Sequence, residues 1–478
     1  MPTKPPKKYD MMVIGAGSGG LSMGLGLHEL GFKVLLVDRS DESIGGECLN
    51  NGCVPSKAFI HVSKQIAAVQ SAQKFGLTVQ GNVSLPAIWD YVKNAQEQIR
   101  HHENAAFFRD NGLDVVLGAA SFIGKNSIAV NGEIYLGKKI AIATGSKPRR
   151  LQIPGVDQVA YYDNDTIWGL HKLPKRMLFI GAGPIGMELG QAFSRLGSEV
   201  VMVEMMDRIL AHEDPDIAEI LYRRSLDQGM VFHLGTKINR FTNAHTAELQ
   251  KGSNLWEEQF DVVVVGIGRQ TDFSELNLEA AGIQTDKRGQ IKLDSYLRTS
   301  NKRVYVLGDA ANGLKFSHAA ELQATTIINN FFTPVKKKIN YHKFSWVTFT
   351  EPEIATFGRS EKQLKQVGAK YQKLELPFTD DDRAITGDYQ YGKLILLVKP
   401  GWTNYSDAKL LGGSMIAPHA GEMSQELILA LSANLGIKSL FNKIYPYPTG
   451  SRVNKTIILN KYLEALKPWI VKLLKLIY

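Results

Sequence analysis

The feature that most constrains the fold of this chain is a glycine pattern that occurs twice. The segments "DMMVIGAGSGG" and "RMLFIGAGPIG" read alike and are followed by similar stretches. Each copy predicts a strand, a tight turn, a helix, a glycine stop and a second strand that ends in a carboxylate. These carboxylates, Asp38 and Glu204, both fall 23 positions after the first glycine of their copy. The glycines of the two copies are Gly15, Gly17 and Gly20, and Gly181, Gly183 and Gly186.

This spacing is typical of a turn that binds the pyrophosphate of a dinucleotide. The first glycine permits the turn, the second lets the backbone approach the pyrophosphate, and the third allows close packing of helix on strand. The helix N-terminus adds unsatisfied N–H groups, and the carboxylate accepts hydrogen bonds from ribose hydroxyls. Two copies in matching context predict two dinucleotide sites. Glu204 favours NAD(H) over NADP(H), because a 2′-phosphate would meet a carboxylate and because Met205 and Met206, rather than an arginine, follow it.

Cys48 and Cys53 are the only two cysteines in the 478 residues, and they lie five positions apart. A structural disulfide across so short a loop would restrict little of the unfolded chain. Two thiols without a His-x-x-x-His pattern also fall short of a tetrahedral metal site, so we predict no metal. The spacing leaves two interpretations open. The pair is either two inert buried thiols or a dithiol that cycles between reduced and oxidised forms.

Composition narrows the class of protein. The length suggests roughly three domains, and 44% hydrophobic with 22% charged residues is ordinary for a globular protein. The net charge of +9 is spread along the chain without a dense basic block, so we expect no nucleic-acid partner. Sparse cysteine use predicts a cytoplasmic location. No long uncharged apolar run predicts a membrane-spanning helix.

The C-terminal stretch "LEALKPWIVKLLKLIY" combines lysines with apolar residues. Lys467, Lys472 and Lys475 interrupt a run that contains Trp469 and several leucines. Such a stripe can form a helix that lies on a membrane surface. More often it packs on the body of the protein or on a partner subunit.

With these parts in order, the chain resembles the FAD-dependent pyridine nucleotide–disulfide oxidoreductases from about Tyr9 to about Lys455. The resemblance is carried by "GGECLNNGCVPSKA", "AIATGSKPR", "VVVVGIGRQTDFSELNLEAAGI", "LRTSNKRVYVLGDAA" and "FTEPEIATFG". It implies an α/β fold with two Rossmann-like domains, as in glutathione reductase, and a C-terminal α+β dimerisation domain. By this likeness, residues 1–150 and 277–340 form the FAD domain, 151–276 the NAD(H) domain and 341–478 the dimerisation domain of a homodimer.

The resemblance also implies roles for individual residues. Electrons would pass from NADH to FAD and then to a Cys48–Cys53 disulfide, with Cys53 on the flavin side and Cys48 exchanging with substrate. Lys57 would pair with Glu188 near the flavin. The residues implied for FAD are Gly15, Gly17, Gly20, Asp38, Gly46, Thr144, Gly145 and Asp309. Those implied for NAD(H) are Gly181, Gly183, Gly186, Glu204 and Gly268, and those implied for catalysis are Cys48, Cys53, Lys57, Glu188 and Tyr447.

The chain departs from the family pattern near its C-terminus. Tyr447 and Arg452 of "YPYPTGSR" stand where thiol-processing members carry a histidine and a glutamate. A phenol with a pKa near ~10 shuttles protons poorly at neutral pH. Glu47 replaces a small hydroxyl residue and is expected to disfavour the thiolate of Cys48. His419 is expected to be a packed histidine rather than a substitute base.

These departures leave the electron acceptor open. The nearest generic function is that of a dihydrolipoyl dehydrogenase, with a small disulfide as the substrate. A mercuric reductase-like enzyme is an alternative, although the usual second cysteine pair is missing. A further alternative is a flavoprotein with a regulatory disulfide that reduces a quinone or a metal complex directly at the flavin. A non-catalytic, NADH-responsive scaffold is the last alternative.

Overall fold

The structure is a computed structural model that describes residues 5–401, 407–466 and 468–477. The chain forms two compact units, one of Met1–Pro174 with Val262–Ile339 and one of Lys175–Asp261 with Asn340–Tyr478. The domain boundaries predicted at residues 150, 276 and 340 divide the chain more finely than these units do, and they remain predictions. Lys467, part of the predicted basic stripe, lies outside the described residues.

The first unit begins with strands that alternate with helices. Its N-terminal segment contains strands β1 (Lys7–Ile14), β2 (Val34–Asp38), β3 (Asp114–Leu117), β4 (Ala120–Gly124), β5 (Ser127–Val130), β6 (Glu133–Ile142), β7 (Lys147–Pro148) and β8 (Tyr161–Tyr162). Its helices are α1 (Ser18–Glu29), α2 (Gly46–Asn50), α3 (Cys53–Ser71), α4 (Leu85–Arg100) and α5 (Ala105–Asp110).

The second unit opens with another alternating segment. It contains β9 (Arg176–Ile180), α6 (Pro184–Leu196), β10 (Glu199–Glu204), α7 (Pro215–Asp227), β11 (Val231–Leu234), β12 (Lys237–Asn243), β13 (Thr246–Lys251) and β14 (Asn254–Gln259). The chain then returns to the first unit with β15 (Val262–Val265), β16 (Arg269–Gln270), β17 (Val304–Val306) and α8 (Ser317–Phe332).

The C-terminal segment completes the second unit. Its strands are β18 (Ser345–Thr348), β19 (Glu353–Gly358), β20 (Gln372–Pro377), β21 (Lys393–Lys399) and β22 (Lys409–Ala417). Its helices are α9 (Glu361–Gln366), α10 (Asp382–Thr386), α11 (Ala420–Met423), α12 (Gln425–Ser432), α13 (Ile437–Asn442), α14 (Val453–Ala465) and α15 (Pro468–Ile477).

The main sheet of the first unit places the carboxyl ends of several strands at one edge. Its order is β3-β2-β1-β6-β5-β4, and β17 also pairs with β6. β1 runs parallel to β2 and β6, and β17 runs parallel to β6. Strands that are covered on both faces read as continuous apolar runs, as residues 11–14 of β1 and residues 34–37 of β2 do. Ligands of such sheets bind beyond the carboxyl ends of the strands.

The second unit contains one set of parallel strands and two antiparallel sheets, the smaller of which is β12-β13-β14. β9, β10 and β11 are parallel, as expected for a second Rossmann-like segment. β18, β19, β22, β21 and β20 form an antiparallel sheet in that order, and buried residues of α12, α13 and α14 share its core. The antiparallel sheet and the helices that pack with it confirm the predicted α+β character of the C-terminal region. Among the described residues, no helix is both long and apolar enough to cross a membrane.

Candidate active site

The first glycine pattern forms the predicted turn between β1 and α1. Gly15 follows β1 with a φ of +104°, and a Cβ at this position would lie 2.3 Å from the carbonyl oxygen of Ala143. Only glycine fits there without displacing the backbone of the neighbouring segment. Gly17 is the N-cap of α1, and neither a capping side chain nor an acidic residue occupies the first turn. The backbone N–H groups in the first turn of α1 can therefore bind an anion.

The other residues predicted for FAD surround this turn. Asp38, at the end of β2, accepts a hydrogen bond from the backbone N–H of Ala16, between the two glycines. Gly20 is buried in the first turn of α1. A Cβ on Gly46, at the start of α2, would lie 2.6 Å from the Cα of Gly17, so the two backbones approach closely. The set of small residues, free N–H groups and one carboxylate fits a dinucleotide.

Thr144, Gly145 and Asp309 lie at the same edge of the sheet. Thr144 and Gly145 follow the end of β6, and Asp309 lies in a short helical turn after β17. The Ser146 hydroxyl donates to Asp309 Oδ2 at 2.6 Å, which connects these two segments. The structure thus brings together the residues predicted for FAD within the first unit.

The second glycine pattern has the same construction in the second unit. Gly181 follows β9 with a φ of +100°, Gly183 is the N-cap of α6, and Gly186 is buried in that helix. Glu204 ends β10, and its Oε2 accepts the backbone N–H of Ala182 at 2.8 Å. Gly268, also predicted for NAD(H), lies in the first unit, where its carbonyl oxygen accepts the backbone N–H of Arg149 at 3.0 Å. Its assignment to NAD(H) remains a prediction.

The two cysteines lie on consecutive helices. Cys48 is on α2, and Cys53 is the first residue of α3, where Gly52 is the N-cap. Neither cysteine is in a disulfide, and Cys53 is exposed whereas Cys48 is half-buried. The hydrogen bond with Cys53, together with burial, raises the pKa of the Cys48 thiol. The exposure of Cys53 contradicts the interpretation of two inert buried thiols.

Glu47 does not act on Cys48 as we expected from the sequence. The raised pKa of Cys48 is due to Cys53 and to burial, because the Glu47 carboxylate faces away toward Arg269. Arg269 Nη1 donates to Glu47 Oε1 at 2.7 Å, and the Asn164 amide donates to the same oxygen. Burial raises the pKa of Glu47 to about 7 in spite of the arginine.

The residues around Glu47 were missed by the sequence analysis. Arg269, Asn164, Asp165 and Ser146 come from three separate stretches of the first unit, and none of them was predicted as a site residue. The one available signal is the arginine that directly follows Gly268 in "GIGRQTD".

Lys57 and Glu188 lie in different units. Lys57 is on α3, one turn after Cys53, and its Nζ donates to Ser56 Oγ at 3.4 Å. Glu188 is buried on α6, and its Oε1 accepts the backbone N–H of Phe349 at 2.8 Å. The Lys57–Glu188 pair remains a prediction.

Tyr447 is exposed in the second unit and is bonded to a carboxylate. Its hydroxyl donates to Asp382 Oδ2 at 3.1 Å, and the Arg452 guanidinium lies 5.1 Å from the centre of its ring. The bond to Asp382 raises the pKa of the Tyr447 phenol. These three side chains help to line a cavity of about 420 Å³. A phenol held protonated in this way is a poor general base.

His419 is exposed, so the expectation of a packed histidine was wrong. It precedes α11 at the surface, and there the chain leaves the buried strand β22. Among the described residues, Glu353, His419 and Glu422 offer ligand atoms within 4.8 Å of one another. No sequence spacing indicated this group, because Glu353 lies on a different element.

Comparison with known proteins decides the family. A family model described as pyridine nucleotide-disulphide oxidoreductase matches residues 9–324, and a model described as the dimerisation domain of such enzymes matches residues 344–457. The chain belongs to the pyridine nucleotide-disulphide oxidoreductases. This membership confirms the predicted fold class, and the dimerisation-domain match supports the predicted homodimer.

The names of the relatives in this oxidoreductase family refer to different substrates. A mercuric reductase of Staphylococcus aureus is 32% identical over 445 residues, which cover 92% of this chain and 80% of that protein. Dihydrolipoyl dehydrogenase 3 of Pseudomonas putida is 31% identical over 468 residues, which cover 95% of this chain and 98% of that protein. The HOCl-induced flavoprotein disulfide reductase RclA of Escherichia coli is similar in structure with a TM-score of 0.81, at 25% identity and with 94% of this chain and 99% of that chain covered.

Family membership establishes the chain as a flavoprotein oxidoreductase that uses FAD and a nicotinamide cofactor. The two glycine turns fit these groups, as their geometry shows. The relatives do not share one substrate, so membership leaves the acceptor to be argued from the residues of this chain.

Proposed function

We propose that the protein transfers electrons from NADH through FAD to the Cys48–Cys53 pair and from there to an acceptor. The closest generic reaction is that of a dihydrolipoyl dehydrogenase. The observation that carries the proposal is the position of the two thiols on consecutive helices, with Cys53 at the start of α3 and close enough to Cys48 to raise the pKa of its thiol. FAD and the nicotinamide supply hydride and electron transfer when they are bound.

The residues of this chain prepare the thiols for that exchange. Cys53 begins the 19-residue helix α3, so the positive end of the helix dipole favours its thiolate. Oxidation of two thiols to a disulfide releases two electrons and two protons, and reduction takes them up again. The site therefore needs groups that accept and return protons as well as a path for electrons.

We propose NADH rather than NADPH as the reductant. Glu204 lies where the adenine ribose of the nucleotide would bind, and a 2′-phosphate there would meet its negative charge. Two donors of the Arg208 guanidinium are already bonded to the backbone carbonyl oxygens of Glu213 at 3.1 Å and Ala211 at 2.5 Å, so they are not available to a 2′-phosphate.

A second candidate acceptor is favoured by Tyr447. Reduction of a disulfide substrate requires protons at the substrate sulfur, and the Tyr447 phenol donates to Asp382 instead of serving as a base. A metal ion takes up no proton when it is reduced, and a quinone reduced directly at the flavin would take up its two protons there and not at Tyr447, so neither acceptor needs an imidazole at this position. We therefore propose such an acceptor as the alternative to lipoamide.

The deciding experiment compares acceptors with the purified, FAD-loaded dimer. NADH oxidation is measured with lipoamide and with a small quinone, for the wild type and for the C48S/C53S double variant. Lipoamide turnover that disappears in the double variant supports the disulfide reductase. Quinone turnover that survives in the double variant supports direct reduction at the flavin. Absence of NADH oxidation with every acceptor would contradict both.

The exposed C-terminal helix suggests a peripheral contact with anionic membranes. On α15, Trp469 and Leu476 are exposed at 62% and 84%, and Lys472 and Lys475 are exposed as well. Aromatic and basic residues on one helix favour the surface of an anionic bilayer. The protein would then be cytoplasmic and bind the membrane reversibly. Truncation after Ala465 should abolish co-sedimentation with vesicles that contain phosphatidylglycerol, and an unchanged pellet fraction would contradict this contact.

A further inference from the structure

Three side chains of the kinds that bind metal ions meet at one end of the antiparallel sheet in the second unit. Among the described residues, Glu353, His419 and Glu422 form a group whose ligand atoms, one from each side chain, all lie within 4.8 Å of one another. The register of the sheet explains this meeting. Glu353 begins β19 and pairs with Ala417, the last residue of β22, and His419 follows two positions later.

The helix α11 supplies two of the three side chains. His419 is its N-cap, and Glu422 is its third residue. Residues three positions apart lie on the same side of a helical turn. The imidazole of His419 makes no capping hydrogen bond, so the helix does not use the ring nitrogens. Both side chains are exposed, and an ion can therefore reach them from solvent.

Glu353 is the buried member of the group. It is 6% exposed, and its Oε2 accepts the backbone N–H of Gly421 at 3.1 Å. This bond fixes the Glu353 carboxylate against the first turn of α11, at a residue that lies between His419 and Glu422 in the chain. A hydrogen bond that orients a ligand in this way is a regular feature of metal sites.

The group brings two carboxylates together, and one of them is buried. Two like charges at this separation repel each other, and burial adds to the cost. In the part of the chain that the structure describes, neither Glu422 nor His419 has a hydrogen bond or an ion pair through its side chain. A cation between the carboxylates removes the repulsion. It is either a protonated His419 or a metal ion, and above about pH 7 histidine is mostly in the neutral form that binds metals.

We propose that Glu353, His419 and Glu422 bind a divalent transition-metal ion with the preferences of Zn²⁺. An imidazole nitrogen and carboxylate oxygens are ligands that Zn²⁺ accepts, and the two carboxylates balance its charge. Mg²⁺ and Ca²⁺ prefer sites made of oxygen alone. Three ligands from the protein leave a fourth position for water. Because Zn²⁺ has no redox chemistry, this site is separate from the proposed electron path.

The test is zinc binding by the full-length, FAD-loaded protein without an affinity tag. The measurements use the C48S/C53S double variant, because the two thiols would bind zinc themselves. The protein is treated with EDTA, desalted and dialysed at about pH 7.5 against a series of Zn²⁺ concentrations. We expect about one tightly bound zinc per chain, and about 1 mM Mg²⁺ should not displace it.

Single substitutions in this background test the ligands. H419A removes the nitrogen ligand and should weaken zinc binding at least about tenfold, and E422Q should have a similar effect. Both residues are exposed, so neither change removes a part of the core. H101A is the matched control, since His101 is an exposed histidine at the end of α4 and belongs to no such group among the described residues. Its zinc binding should be unchanged.

Thermal unfolding gives a second readout. A ligand that binds only the folded state raises the midpoint of unfolding. Saturating Zn²⁺ should therefore raise the midpoint of the C48S/C53S protein and of its H101A variant, and it should leave that of H419A/E422Q in the same background unchanged.

The outcomes are distinct. Zinc binding that is weakened in H419A and E422Q and kept in H101A supports the site. Absence of zinc binding by the C48S/C53S protein would overturn the inference and leave protonated His419 as the cation of the group. Equal binding by H419A and its background, or displacement by Mg²⁺, would also overturn it. None of these measurements involves NADH oxidation, so failure of the proposed function would be seen separately.

Discussion

The hydroxyl of Tyr447 donates a hydrogen bond to Asp382 at 3.1 Å, so the residue that replaces the expected histidine is bonded to a carboxylate of its own unit. The arrangement raises the pKa of the phenol and removes it from proton exchange near neutrality. The chain thus keeps the cofactor turns and the dithiol while its C-terminal acid–base position has a different chemistry.

The first prediction concerns that position. Because the phenol is not a base, Y447F should change turnover of the physiological acceptor by less than about threefold. The double variant Y447H/R452E supplies an imidazole and a carboxylate, and it should raise lipoamide turnover about ten- to a hundredfold. Steady-state NADH–lipoamide kinetics measure both effects. A large loss of lipoamide turnover in Y447F would show that the hydroxyl itself takes part.

The second prediction concerns the two cysteines separately. C48S removes the thiol that exchanges with substrate, and C53S removes the thiol at the start of α3. Either variant should lower disulfide-dependent turnover at least about a thousandfold, because one thiol cannot form the intramolecular disulfide. Binding of FAD, measured from its absorbance after gel filtration, should stay unchanged and is the control. Disulfide turnover by either single variant would contradict the assigned electron path.

The third prediction concerns the choice of nicotinamide. Wild-type kcat/KM should favour NADH over NADPH by at least about tenfold, because Glu204 repels a 2′-phosphate. E204Q removes the charge and keeps an acceptor for the N–H of Ala182, so it should raise kcat/KM for NADPH with a smaller effect on NADH. Equal use of both cofactors by the wild type would refute the assignment.

The fourth prediction concerns a buried carboxyl away from the cofactor turns. Glu213 is 4% exposed and accepts hydrogen bonds from Trp346 at 2.7 Å and from Thr348 at 3.3 Å, as well as from Thr356. Burial raises the pKa of Glu213 despite these donors. A carboxyl whose pKa is higher in the folded state stabilises the fold at low pH, and this contribution is lost as the pH rises above its unfolded value near ~4.5.

We therefore expect the stability difference between the wild type and E213Q to move in favour of E213Q between about pH 5 and about pH 7.5. Urea unfolding midpoints at several pH values measure this trend. E219Q, which changes an exposed glutamate on α7, is the matched control and should show no such trend. E213A should cost about 1–3 kcal/mol more than E213Q, since it leaves buried donors without an acceptor.

The parts of the fold that were predictable from the sequence depend on residues close in the chain. The two glycine turns and the strands and helices that flank them depend on residues within a few positions, and both copies were predicted. The contact between Arg269 and Glu47 joins residues 222 positions apart, and that between Tyr447 and Asp382 joins residues 65 positions apart. No local spacing encodes such pairs, because the strand order of the sheets and the loops between them bring the partners together.

The direction of Glu47 was misjudged for the same reason. The sequence shows a carboxylate next to a thiol and predicts direct repulsion. In the fold, the guanidinium of Arg269, which lies on the distant strand β16, donates a hydrogen bond to that carboxylate. The adjacency of Glu47 and Cys48 in the chain is therefore a poor guide to the contacts of this carboxylate, because Arg269 is distant in sequence and close in space.

The bonds from Ala16 to Asp38 and from Ala182 to Glu204 have a consequence for cofactor exchange. Each carboxylate that would meet a ribose is already fixed by the turn that would meet the pyrophosphate. The conformational entropy of ordering these side chains is therefore lost during folding and does not have to be lost again at each encounter with a nucleotide. A nicotinamide must arrive and leave once per turnover, so an acceptor that is already ordered at the end of β10 favours rapid exchange.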